Sequence, residues 1–138
     1  MSGKTGKILL LSGLIGLGLT SGVIAASMKE LQGAWTMNGT DCADTFKKVG
    51  KKIEFKDRGA STTTGLLIVG SKVSGPMAIC TTQSVRKQKD RLSARLSCTD
   101  SMIQSDVTAT FKIVGPEEFQ RFDPFGDNMY VTYHKCSM

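Results

Sequence analysis

Arg91-Leu92-Ser93-Ala94-Arg95-Leu96-Ser97-Cys98 alternates without a break. In an extended chain this puts Leu92, Ala94, Leu96 and Cys98 on one side and Arg91, Ser93, Arg95 and Ser97 on the other, the period of two that marks a half-buried strand. Gln88-Lys89-Asp90 precedes it with turn chemistry, so residues 77–87 read as the first arm of a hairpin. That arm alternates less cleanly, because an inward Cys80 sends Ile79 and Val85 outward. One extra residue in the arm, a β-bulge, would repair the register.

Further strands lie on either side of this hairpin. Residues 107–114 put Val107, Ala109, Phe111 and Ile113 inward and Thr108, Thr110 and Lys112 outward, and Gly115-Pro116 ends the run. Residues 118–122 and 129–135 follow, separated by the turn-rich 123–128. On the N-terminal side, 33–37 is a strand with Trp35 as its core anchor, Ile53 and Phe55 alternate with charged residues in 52–56, and 66–69 is an apolar run between two glycines. Asn38-Gly39 supplies a turn, and Asp41 caps a short helix over 42–49 in which Cys42, Phe46 and Val49 recur at helical spacing. Eight short strands and one short N-terminal helix define an all-β chain, a small antiparallel eight-stranded barrel or a sandwich.

Four cysteines allow three pairings. Cys80 and Cys98 sit symmetrically about Lys89, so folding the hairpin sets them opposite one another on neighbouring strands. Cys42 is then left for Cys136, a link that joins the start of the domain to its last strand and favours the closed barrel. Zinc fits this cysteine set badly, since the chain has no C-x-x-C and a single histidine, His134.

Paired cysteines belong in an oxidising compartment, and the N-terminus reads as the address that leads there. Lys4 and Lys7 precede an uncharged run that ends in Ala25-Ala26-Ser27, the three parts of a secretory signal peptide. Residues 8–26 number nineteen, close to the roughly 20 that span a bilayer, but no basic cluster follows to stop transfer. The expectation is therefore a signal peptide at 1–26, cut after Ala26, a single domain at 27–138, no stable membrane span once cut, and a periplasmic or secreted protein. Losing two lysines and no acids lowers the formal charge from +6 to +4.

No residue set rises to a reaction mechanism. His134 has no G-x-S-x-G to serve and reads as an outward-facing strand residue; Asp123, Asp127 and Asn128 miss the spacing of a calcium loop. Glu117 and Glu118 are adjacent, so they point to opposite faces of a strand. Neither an enzyme nor a cofactor is expected. The surface signal is basic: Lys47, Lys48, Lys51 and Lys52 lie beside the expected helix, and Arg86, Lys87, Lys89 and Arg91 gather at the hairpin tip. If the two groups adjoin, they form a patch for an anionic partner. In an exported protein that partner is an acidic protein face or an anionic envelope polymer, not nucleic acid.

The opening Glu30-Leu31-Gln32-Gly33-Ala34-Trp35, with Cys42 close behind, resembles the start of small exported bacterial metalloprotease inhibitors, which are eight-stranded disulfide barrels. More distantly it is similar to the G-x-W that opens lipocalins. With Cys80, Cys98, Arg121-Phe122-Asp123-Pro124 and the closing Tyr133-His134-Lys135-Cys136, the whole chain resembles a family of small exported Gram-negative proteins of unknown function. The inhibitor likeness implies a non-enzymatic binding protein acting on a hydrolase through an N-terminal arm, here residues 27–32. The lipocalin likeness implies a small-ligand carrier with an apolar void. A third expectation is an envelope structural protein that holds anionic glycolipid or glycan through the basic residues.

Overall fold

The hairpin of residues 78–100 is the longest pairing among the described residues. A computed structural model describes residues 27–37, 42–58, 65–100, 102–126 and 128–138; the signal segment expected at 1–26, the turn expected at Asn38-Gly39 with its Asp41 cap, and Asp127 lie outside them. Strand β6 (Ala78–Gln88) pairs antiparallel with β7 (Arg91–Asp100), and Cys80 faces Cys98 across the ladder. The register shifts between Thr82 and Ser84, the bulge that the broken alternation calls for, and it returns Val85 to the core. Gln88 pairs with Arg91, so Lys89 and Asp90 make the turn, Lys89 with a φ of 55°.

From this hairpin the sheet runs through β8 (Ile103–Gly115), β9 (Glu118–Phe122) and β10 (Tyr130–Lys135) to β1 (Gly33–Met37). On its other side it runs through β5 (Lys72–Ser74) and β4 (Leu66–Val69), which meets β1 and closes an eight-stranded antiparallel barrel. Closure leaves few open edges in the ring, the usual solution for a short-stranded antiparallel sheet.

The count of eight holds, but the membership differs from the sequence reading. The strand expected at 52–56 forms as β3 (Lys52–Phe55), and it pairs with β2 (Phe46–Val49) in a separate two-stranded sheet. Its place in the ring is taken by β5, whose three residues between Gly70-Ser71 and Gly75-Pro76 are too few to display a period. The helix expected over 42–49 is a single turn, α1 (Cys42–Thr45), after which the chain becomes β2. Thr45, Phe46 and Val49 are poor helix formers, an eight-residue helix is marginal alone, and pairing with β3 satisfies the backbone instead. Val49 accordingly stands 48 % exposed rather than packing inward.

Two cores result. Inside the ring, Trp35, Ile68, Phe111, Phe119 and Tyr133 meet, with Trp35 edge-on to Phe119 at 4.8 Å and Phe119 stacked on Tyr133 at 5.0 Å. Outside it, Phe46 and Phe55 of the excursion pack on the outer faces of Ala34 and Leu67. The Cys42–Cys136 disulfide fastens this second core to the end of β10, and Thr36, buried beneath, lies 3.6 Å from the Cys42 sulfur. Gly65 permits the fit, because a Cβ there would stand 2.6 Å from Thr45 Cγ2 and 2.8 Å from Phe46 Cζ.

Candidate functional site

The two ends of the barrel are built differently. At one end the chain before β1 forms a 3-10 turn (Lys29–Leu31) that buries Met28 and Leu31 beneath the ring. Trp35 Nε1 donates to the Leu31 carbonyl at 2.8 Å. Gln32 ties the same segment to the β4–β5 turn, accepting from the Gly70 N–H at 2.6 Å and donating to its carbonyl at 3.0 Å. Lys135 crosses Gly33, whose φ of +127° and lack of a Cβ admit it, and sets its ammonium 5.6 Å from the Trp35 ring. This end is plugged.

The opposite end is open. A cavity of about 410 Å³ enters there between Leu66, Val73, Cys80, Leu96, Ala109 and Tyr133. It is the upper half of the interior, above the Trp35–Phe119 layer, and the Cys80–Cys98 disulfide forms part of its wall. Around it the turns carry exposed apolar tips: Met77 between β5 and β6, Met102 between β7 and β8, and Phe125 between β9 and β10, the last 99 % exposed. An eight-stranded ring has room for side chains alone or for one small ligand, and here the interior is divided between the two uses.

Arg121 is the charged side chain among those lining the cavity. The alternation of β9 puts it on the same side as buried Phe119, but nearer the mouth, where it is exposed, and its guanidinium lies 5.8 Å from the Tyr133 ring. Burial pushes the Tyr133 phenol above its ordinary value, and the Arg121 charge tempers the rise. In the sequence Arg121 stands out only within the Arg121-Phe122-Asp123-Pro124 stretch and carries no expected site role, although the period of two through Phe119 places it on the inward side.

The basic residues do not gather as one surface. Lys47, Lys48, Lys51 and Lys52 sit on the β2–β3 hairpin, rooted on the outer wall of β1 and β4. Arg86, Lys87, Lys89 and Arg91 sit at the β6–β7 turn, and β7 is four strands from β1 whichever way the ring is followed. One of these charges already has structural work, and a neighbouring ion pair pins the turn. Arg91 stacks over the Phe122 ring at 3.7 Å, and Asp90 in the turn binds Lys112 at 3.2 Å, which holds its carboxyl below the usual range. Lys87, Lys89 and Arg91 do line a groove with Ser27, Lys29 and Glu30 beside the plugged end. His134 is exposed on β10, and no cluster of metal-ligating side chains occurs among the described residues.

Both expected disulfides are present, as suits an oxidising space outside the cytoplasm. No helix among the described residues is long and apolar enough to cross a membrane. No protein-family model matches the chain, and no curated protein or solved structure is significantly similar to it.

Proposed function

We propose that this domain is an exported, non-enzymatic carrier of a small apolar or amphipathic molecule, held in the open mouth of the barrel and working in the periplasm or after secretion. One observation carries the reading: a ring plugged by Met28, Leu31 and Trp35 at one end opens at the other into an apolar cavity of about 410 Å³. Binding sites for small molecules are concave, mostly apolar, and roughly 300 to 1,000 Å³ in volume, with few polar groups. The same plug weighs against an inhibitory arm at residues 27–32, because Met28 and Leu31 are buried in the barrel. The separation of the two lysine and arginine groups weighs against a single anionic-polymer surface.

The test uses the neutral fluorescent probe N-phenyl-1-naphthylamine, titrated into the folded protein. Saturable fluorescence enhancement at one probe per barrel is expected, and Ala109→Phe, which fills the mouth, should abolish it while leaving the near-ultraviolet circular dichroism intact. Absent enhancement, or enhancement that survives in A109F, would remove the carrier reading.

A further inference from the structure

The wall of the cavity divides by chemistry. Leu66 of β4, Val73 of β5, Cys80 of β6 and Leu96 of β7 supply an apolar surface, and Arg121 of β9 faces them from across the ring, four strands from β5. Arg121 itself is exposed at the mouth, so its guanidinium is free to meet an anion there while the rest of the lining stays apolar. Among the described residues no carboxylate lies within 4.0 Å of it; the two ion pairs there are Arg95 with Asp106 and Lys112 with Asp90. The nearest acid in sequence, Asp123, already accepts from the Phe125 N–H at 2.8 Å. Nor does the Tyr133 ring satisfy Arg121, since 5.8 Å to the centroid is the outer limit of a cation–π contact.

Resting on the carrier reading, we infer that the ligand is a single-chain amphiphile with a carboxylate head, its carboxylate paired with Arg121 and its chain laid along the wall of Leu66, Val73, Cys80 and Leu96. The planar fork of arginine matches a carboxylate with two parallel hydrogen bonds, and such charge-assisted bonds are the strong ones. The volume sets the length: 410 Å³ is near the lower end of ligand pockets, which suits a medium chain and not a fused-ring lipid or a two-chain phospholipid. The apolar turn tips Met77, Met102 and Phe125 stand at the entrance, interspersed with exposed Asp100 and Asp123, and give a chain an apolar approach to the cavity.

Isothermal titration of the mature protein with dodecanoate and with dodecanol, at pH 7.5 and below micelle-forming concentrations, separates head from chain. The wild type should bind dodecanoate about ten-fold or more tightly than dodecanol, the scale of one charge-assisted interaction. Arg121→Gln should bring the two within about two-fold by weakening dodecanoate alone, and Arg121→Lys, which keeps the charge without the fork, should retain part of the preference. Equal binding of acid and alcohol by the wild type, or a preference undiminished in R121Q, overturns the carboxylate assignment and leaves the carrier reading standing. Failure of both ligands together with the neutral probe overturns both. The wild-type comparison decides the matter even if a variant fails to fold.

Discussion

Trp35 Nε1 lies 2.8 Å from the carbonyl oxygen of Leu31, and both residues are fully buried. This bond joins the first strand to the turn that precedes it and so holds the plug against the floor of the barrel. The tryptophan is both the largest buried side chain and the latch of the closed end.

Replacing it tests both roles. Trp35→Phe keeps an aromatic ring against Phe119 but leaves the Leu31 carbonyl without its indole donor and opens a small void. A loss of about 2 to 3 kcal/mol is expected from a buried unpaired acceptor plus a partial cavity. Urea unfolding followed by far-ultraviolet circular dichroism measures it.

The two disulfides should differ in value. Cys42–Cys136 closes a separation of 94 residues and Cys80–Cys98 one of 18. The chain-entropy model gives roughly 4 to 5 kcal/mol for the first and about 3 kcal/mol for the second. Urea midpoints of C42S/C136S and C80S/C98S compare them directly, and the first pair should also show protease cleavage in the α1–β2–β3 excursion.

Thr82 offers a gain. Its hydroxyl is buried beside the bulge without a hydrogen-bond partner among the described residues. Thr82→Val keeps the branched shape and removes the unpaired polar atom, so stability should rise by about 1 kcal/mol. Thermal unfolding should show a higher midpoint in T82V than in the wild type.

Tyr133 sets an alkaline limit. Because burial raises its phenol pKa, the folded protein holds that proton at pH values where the unfolded chain, near 10.0, has released it. Its contribution is complete below about pH 10 and is lost as pH rises through the folded value. Chemical unfolding across pH 8 to 11 should show a steeper alkaline loss in the wild type than in Tyr133→Phe.

Much of the fold was readable because alternation is a local signal. Residues 91–98, 107–114 and 118–122 each bury one side against the same core, so each carried its own strand assignment, and the broken alternation of β6 signalled its extra residue. Residues 42–49 were misread because Cys42, Phe46 and Val49 satisfy a helical spacing over too few residues to distinguish it from a turn followed by a strand. Only the partner strand β3 decides that case. β5 escaped notice for a related reason, its pairing on both sides being long-range and its own pattern three residues long.

The site was less legible than the fold. A cavity is what side chains from different strands fail to fill, and no single segment records that deficit. Arg121 had an inward register in the sequence, but nothing local said that it would face an apolar wall four strands away.

The sequence by itself determined an all-β chain, an even set of cysteines with one favoured pairing, and a tryptophan at the base of the first strand, because these follow from period, count and composition. The tertiary structure alone decided that the β2–β3 hairpin lies outside the ring, that the basic residues belong to two walls, and that one end is plugged while the other is hollow. Those outcomes depend on the order in which strands close and on the volume left between them. Both are properties of the whole ring that exist only once its last pair of strands has met.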